Sequence, residues 1–234
     1  MKTTSPISAR SAHAPQAANI RDNLTQLPRT NHLLALHAAA RNAEATHADF
    51  VFHTQRIMRL ILEEALGCLR HVDVATTTPL GLEFAGKRRA QEEIFAVSVP
   101  RAGDAFEAEL RVLAPSARLG KILIQRDPER KVPILYWSKL PEGIAGKEVL
   151  LMDPMMATAG TAKMAIDILA GAGVNPADIV LVNFLTCPEA LEALFDARPE
   201  VRVVTSFIDE GLTEKAFMRP GIGDFGDRYF GTFR

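Results

Sequence analysis

Cysteine is scarce in this chain: Cys68 and Cys187 are the only two among 234 residues, and they stand far apart. Two distant thiols exclude a disulfide framework and a cysteine-based zinc site, and they point to a reduced protein. Charge imbalance is missing as well. The 27 Lys and Arg against 28 Asp and Glu leave a formal net charge of −1, so neither nucleic acid nor an anionic membrane is expected as a partner. No apolar run approaches the roughly 20 residues of a membrane span. The N-terminus carries scattered charges and no apolar core, so it does not read as a secretory signal, and a cytoplasmic location is expected. Histidine is confined to His13, His32, His37, His47, His53 and His71, with no pair at metal-binding i, i+4 spacing. These read as surface or packing residues, and any chemistry here has to do without a histidine base. A serine hydrolase would need a Gly-x-Ser-x-Gly elbow, and none occurs. The nearest approach to a Walker loop, Gly81 to Arg88, puts Arg88 where the magnesium-binding hydroxyl belongs.

What remains is a soluble globular composition, 47% hydrophobic and 24% charged, over a length that suits one good-sized domain with an extension. Residues 1–22 are rich in Ser, Thr, Ala, Pro and Gln and are expected to be disordered. Residues 23–70 read as a helical extension, with one helix around Leu33, Leu36 and Ala40 and a longer one from about Ala48. Residues 71–234 read as the main domain. Its expected strands are Val72 to Thr76, Ile94 to Val99, Leu119 to Gln125, Val149 to Met152, Ile179 to Phe184 and Val201 to Ser206, with Pro79 to Gly86 as a turn region. Helices alternate with most of them, which calls for an α/β fold with a mostly parallel sheet and helices on both faces. Arg126 to Lys131 followed by Val132 to Trp137 reads as a β-hairpin arm with an exposed polar tip.

Three stretches carry chemistry. The first is Val149 to Thr161: a buried strand, then Asp153, then the small-residue loop Pro154, Met155, Met156, Ala157, Thr158, Ala159, Gly160 and Thr161, then a helix. Its helical period is carried by Ala165, Ile168, Leu169 and Ala172. A helix N-terminus with free N–H groups and two hydroxyls suits a phosphate, and a carboxylate one loop away suits the hydroxyls of an attached ribose. An ordinary strand-to-helix turn explains the same residues if they stand alone. The second stretch, residues 101–139, carries eight basic residues. Arg101 follows a buried strand directly, and arginine forks suit pyrophosphate, whereas Arg111, Arg118, Arg130 and Lys131 read as solvated charge. The third is the tail from Met218 to Thr232, whose glycines bring backbone amides within reach of a flat heterocycle or simply make a surface turn.

At these residues the chain resembles the uracil phosphoribosyltransferases, from about Asn23 to the end. Asp153 to Thr161 is similar to the family's Asp-Pro-Met-Leu-Ala-Thr-Gly-Gly-Ser loop, and Arg101-Ala102-Gly103 to its pyrophosphate loop. Arg126 occupies the arginine that opens its hairpin, and Pro220 to Thr232 match its tail pattern nearly residue for residue. The Asn23 to Gly67 segment is closest to the longer, eukaryotic-type members. Ala159 stands for a glycine, Thr161 for a serine, and Pro100 for an aliphatic residue or methionine.

The resemblance implies a type I phosphoribosyltransferase-like fold and a pyrimidine-salvage reaction. Uracil and 5-phosphoribosyl 1-pyrophosphate (PRPP) would give UMP and pyrophosphate, with Mg²⁺ carried by PRPP and no protein-held metal. It assigns catalysis to Arg101, Asp153 and Asp224. PRPP binding falls to Arg101, Arg126, Asp224 and the stretch from Asp153 to Thr161, and uracil binding to Met218, Gly223, Asp224 and Phe225. It further implies a homo-oligomer, dimer or tetramer, and GTP as an activator of some members. A non-catalytic nucleotide-binding or regulatory homologue, and a phosphoribosyltransferase for another base, are the alternatives.

Overall fold

A computed structural model describes residues 22–126 and 132–232. The expected disordered tail, apart from Asp22, and the tip of the expected hairpin arm lie outside the described residues. The chain opens with strand β1 (Leu24–Gln26), then helices α1 (Asn31–Arg41) and α2 (His47–Gly67). Thr30 caps α1, its hydroxyl accepting from the Leu33 N–H at 3.1 Å, and Thr46 with Asp49 forms a capping box at the start of α2. Ile57, Ile61 and Ala65 recur every fourth residue on the buried side of α2, beside Met58 and Leu62.

Strands β2 (His71–Thr77) and β3 (Glu83–Arg89) follow and pair antiparallel with each other, apart from the main sheet. The expected turn region from Pro79 to Gly86 is shorter than the sequence suggested. Thr78 N–H donates to Leu82 O at 2.8 Å, which closes the loop early and lets Glu83 pair with Thr77. Val72, Leu82 and Phe84 stand exposed on this ribbon.

The remaining elements are β4 (Phe95–Ser98), α3 (Ala105–Leu113), β5 (Arg118–Arg126), β6 (Pro133–Lys139), β7 (Val149–Met152) and β8 (Met155–Met156). After them come α4 (Gly160–Gly171), β9 (Ile179–Thr186), α5 (Pro188–Ala197), β10 (Arg202–Ile208), β11 (Gly211–Leu212), β12 (Met218–Arg219) and α6 (Phe225–Phe230). The main sheet runs β1-β10-β9-β7-β4-β5-β6, with β8 alongside β9. Every pairing in it is parallel except β5 with β6, the base of the expected hairpin arm. Strand β1 was not expected. It is short, it lacks an apolar run, and it pairs with β10 from the far end of the chain. Residues 23–70 therefore supply an edge of the sheet as well as two helices, and Phe50, Ile57 and Leu62 share one core with Val97, Leu151 and Val182.

The topology places the site. From β4 the chain crosses through α3 to β5 on one side, and from β7 it crosses through α4 to β9 on the other. Right-handed crossovers in opposite directions put α3 and α4 on opposite faces, and a crevice opens between the carboxyl ends of β4 and β7.

One core residue carries a pH dependence. His37 is buried between the rings of Phe184 and Phe207, at 5.4 and 5.1 Å. The Ser206 hydroxyl donates to Phe184 O, so His37 Nε2, 3.1 Å from Ser206 Oγ, is the donor. Burial first, then Arg41 and Arg29, lowers its pKa from 6.5 to about 3. Between these values the unfolded chain binds a proton that the folded chain refuses, so stability falls as the pH drops through that window. The slope from this one group is about 1.4 kcal/mol per pH unit. His37→Gln is expected to flatten the acid limb accordingly, read from urea midpoints between pH 7 and 4. An unchanged slope in the folded variant would remove His37 as its source.

Candidate active site

Asp153 follows β7 directly, at the crevice, and is 7% exposed. Its N–H donates to Val182 O at 3.1 Å, and its Oδ1 accepts weakly from the Met155 N–H at 3.4 Å. The loop after it is nailed from β9. Asn183 Nδ2 donates to the carbonyls of Asp153 and Pro154 at 3.0 and 3.1 Å, while the Thr205 hydroxyl donates to Asn183 Oδ1 at 2.8 Å. The Thr186 hydroxyl donates to Met156 O at 3.0 Å, and the Cys187 thiol donates to Ala157 O at 3.4 Å. Sequence reasoning passed over all four of these residues. The available signal was Asn183 and Thr186 inside a fully buried strand, because a buried amide or hydroxyl needs partners.

The loop ends at Ala159, which has φ 59° and precedes α4 without a side-chain cap. A left-handed alanine costs about 1–2 kcal/mol, which explains the glycine that the family usually has here. Helix α4 opens at Gly160, one residue before the expected Thr161, and its buried side is Ala162, Ala165, Ile166 and Leu169. Ile168 and Ala172, expected on that side, are only partly buried, because the buried stripe starts three residues earlier, at Ala162, and shares only Ala165 and Leu169 with the expected one. The first N–H groups of the helix lack intrahelical partners and face the crevice mouth at the positive end of the helix dipole. Pro154, Met156 and Ala159 form the buried underside of the loop, so they can meet a ligand only through their backbone. Asp153, Met155, Ala157 and Thr161 line the cleft itself.

Arg101 lies in the loop after β4, and the Pro100–Arg101 peptide is cis. Two residues on, a Cβ at Gly103 would stand 2.5 Å from Met152 O, so only glycine lets the β4 and β7 loops close on each other. The Arg101 fork turns to the tail: Nη1 donates to Thr232 Oγ1 at 2.6 Å and Nη2 to Asp227 Oδ1 at 2.5 Å. Hydrogen bonds from Thr232 and Arg101 hold the Asp227 carboxyl below its ordinary range. Beneath this loop Lys121 sits 3.0 and 3.1 Å from Asp104 and Glu107, whose charge raises its pKa against the opposing effect of burial. Arg111 and Arg118 are engaged away from the cleft, by Ala117 O and by Glu93. Arg126 closes β5 opposite Pro133, whose ring stands 3.8 Å from the position of a Cβ on Gly160. The hairpin base therefore rises beside the start of α4.

The other wall of the cleft is the tail, Ala216 to Gly226, around a volume of about 510 Å³. Phe225 turns its ring inward, 5.6 Å from Phe50, 5.3 Å from Phe184 and stacked on Tyr229. Met218 is likewise buried, at 8% exposure. With these side chains in the core, the wall presents backbone to the cleft from Gly221 to Gly226, while Phe217, 66% exposed, borders it at the other end. Asp224 caps α6, its Oδ1 accepting from the Asp227 N–H at 2.8 Å. Gly223 has φ 79°, a conformation that glycine adopts freely. Among the described residues, no three His, Cys, Asp or Glu side chains gather as a metal cluster, and no histidine lines this cleft.

The family model described as uracil phosphoribosyltransferase matches residues 27–232. A uracil phosphoribosyltransferase of Dictyostelium discoideum is 44% identical over 211 residues, covering 90% of this chain and 97% of its own length. The Saccharomyces cerevisiae uracil phosphoribosyltransferase is also 44% identical, over 213 residues, covering 89% and 96% of the two chains. In structure, the AQ2163 protein from Aquifex aeolicus superposes with a TM-score of 0.76 at 26% identity, over 88% of this chain and 97% of that one. Matched along nearly its whole described length, with Asp153, Ala102 beside Arg101 and the glycine-rich tail lining one cleft, the chain belongs to the uracil phosphoribosyltransferase family.

Proposed function

We propose that this cleft joins uracil to PRPP, giving UMP and pyrophosphate, with the residues placed as follows. The 5-phosphate rests on the N–H groups and hydroxyls from Thr158 to Thr161. The ribose hydroxyls bond Asp153, and the pyrophosphate meets Arg101 and the hairpin arginine Arg126. Uracil lies against the backbone of Met218, Gly223 and Phe225, with Asp224 near the ribosyl group. The observation that supports this reading is the tail wall: Met218, Ile222 and Phe225 turn their side chains into the core, so around Gly223 a planar base would meet backbone donors and acceptors.

The chemistry asks the protein mainly for positioning and charge. The bond between ribose C1 and the pyrophosphate oxygen breaks as uracil N1 bonds C1, and the N1 proton passes to solvent. Positive charge develops on the ribose, and negative charge on the departing pyrophosphate is met by arginine and by Mg²⁺ arriving with PRPP. Mg²⁺ uses one or two carboxylates with substrate phosphates, and Asp153 and Asp224 are the acids of this cleft. The hairpin arm would cover the site and exclude water.

Exposed Val72, Leu82 and Phe84 on the β2–β3 ribbon, with Tyr136 and Trp137 on β6, support a dimer or tetramer. Activation by GTP is carried over from the family resemblance. Free thiols at Cys68 and Cys187 support a reducing compartment, the cytoplasm, and no helix among the described residues is long and apolar enough to cross a membrane.

Pyrophosphate release across a panel of nucleobases tests the reaction; release with orotate or hypoxanthine but not with uracil would overturn it. Within that assay, Asp153→Asn is expected to lower kcat/KM by about ten- to a hundredfold with the fold intact. One charge-assisted contact is worth roughly 1.5–3 kcal/mol. Unchanged kinetics in the folded variant would remove Asp153 from the ribose.

A further inference from the structure

The loop assigned above to the base does not hold its own shape. Gly221, in its middle, has φ 75°, and a Cβ there would stand 2.4 Å from Met218 O. Both of its backbone polar groups are taken from outside the loop. Its N–H donates to Asp209 Oδ2 at 2.9 Å, and its carbonyl accepts from Arg41 Nη1 at 2.7 Å. Arg41 in turn grips Asp209 with both nitrogens, Nη2 to Oδ1 at 2.8 Å and Nη1 to Oδ2 at 3.3 Å. The Asp209 side chain is fully buried and that of Arg41 is 16% exposed. Asp209 is fixed from behind by its own N–H, which donates to Thr186 O at 2.8 Å. One residue further along the loop, Ile222 O accepts from Arg228 Nη1 at 2.7 Å, and Arg228 Nη2 donates to Asn42 O at 3.0 Å. The last residues of α1 therefore reach the base loop twice.

We propose that Arg41 and Asp209 are positioning residues for base selection: a buried ion pair, closed into a ring through Gly221, sets the height and tilt of the backbone that reads uracil. Neither side chain lines the cleft, and each acts through the Gly221 peptide. Only a planar fork can bond a carboxylate edge-on and still donate to a third oxygen. Lysine at residue 41 has donors on a single nitrogen and cannot keep the two-nitrogen grip on Asp209 together with the bond to Gly221 O. The inference rests on the reading of the tail as the base site, and it makes helix α1 part of substrate recognition.

The test uses the full chain with Arg41→Lys, Arg41→Ala and Asp209→Asn, with steady-state kinetics in uracil and in PRPP separately. Arg41→Lys is expected to raise KM for uracil by about tenfold to a hundredfold, the loss of one hydrogen bond to a charged group, with KM for PRPP within about twofold. The ratio of uracil to cytosine turnover should fall in the same variant. Guanidinium ion at millimolar concentration should restore part of the uracil KM of Arg41→Ala, which a loss of global stability would not allow. Equal shifts in both KM values, or an unchanged uracil KM in a folded variant, would overturn the proposal. Should Arg41→Ala fail to fold, Arg41→Lys and Asp209→Asn, which keep a charge or an acceptor in place, decide it. Gly223→Val in parallel separates the two readings. If it spares uracil turnover, the base site itself is misplaced; if it abolishes turnover while Arg41→Lys leaves uracil KM alone, only the positioning role fails.

Discussion

Gly223→Val is expected to lower turnover of uracil by at least about a hundredfold while PRPP still binds. Gly223 sits at φ 79°, where a β-branched residue is a genuine outlier, and a Cβ there would also press to 3.3 Å on Arg228 Cδ. Relief of that strain has to come from the loop, because Arg228 is itself tied to Ile222 O and Asn42 O. Holding such a residue in place costs about 1–3 kcal/mol, enough to move a short loop that is exposed at Gly223 and Asp224. A shift of about 1 Å in a group that positions substrate costs on the order of a hundredfold in rate. Most of the side proposed for PRPP stands on other elements, namely α4, the Asp153 loop held by Asn183, and the Arg101 loop, with Asp224 the tail's own share. Calorimetric titration with PRPP is therefore expected to give an affinity within a few-fold of the parent chain. Loss of PRPP binding along with turnover would mean that Gly223 shapes the whole cleft, and retained turnover would mean that the base lies elsewhere.

That separation between two halves of one site was only partly readable beforehand. The phosphate half is local in sequence: a strand, a carboxylate, a small-residue loop and a helix follow each other from Val149 to Leu169, and each announces itself by spacing. The base half is readable as a glycine-rich tail, yet nothing in the tail's own residues says which groups face the ligand. That is decided by Phe225 packing on Phe184 and Phe50, contacts that span much of the chain. The same reason hid Asn183, Thr186, Arg41 and Asp209, whose hydrogen-bond partners lie 12 to 180 residues away. It also hid β1, a three-residue strand that exists only because β10 offers it an edge. Periodicity finds segments that bury a face; it does not find a polar side chain whose work is to hold another segment's backbone. The contact between Arg101 and Asp227 belongs to the same class. Two residues 126 apart join the loop proposed for pyrophosphate to the tail proposed for the base, and nothing in either stretch marks them as partners.

The largest effect is expected from the substrate rather than from a variant. Uracil presents an N–H between two carbonyl oxygens, whereas cytosine presents a bare ring nitrogen and an amino group in place of one oxygen. If backbone groups of Gly223 and Phe225 read that edge, a fixed N–H that donates to uracil's oxygen meets an amino group instead, and a carbonyl that accepts from uracil's N–H meets a lone pair. Backbone cannot switch roles as a hydroxyl can, and here swinging it away would strain the anchors on either side. Ile222 and Phe225 are buried, Gly221 is pinned on both sides, and Phe225 is locked by three aromatic neighbours. Two unpaired polar groups then remain desolvated in the bound state. Sites built to hydrogen-bond a substrate reject a mismatched analogue by about 10⁴–10⁵ in kcat/KM, and the expectation for cytosine against uracil is a loss of that order. 5-Fluorouracil keeps uracil's edge and adds little volume, so its kcat/KM should stay within about tenfold, the discrimination that a pocket exerts on a small apolar change. Pyrophosphate release with the three bases at matched PRPP measures both ratios. Comparable rates on cytosine and uracil would mean that the tail backbone does not read the base edge, however well the loop is held.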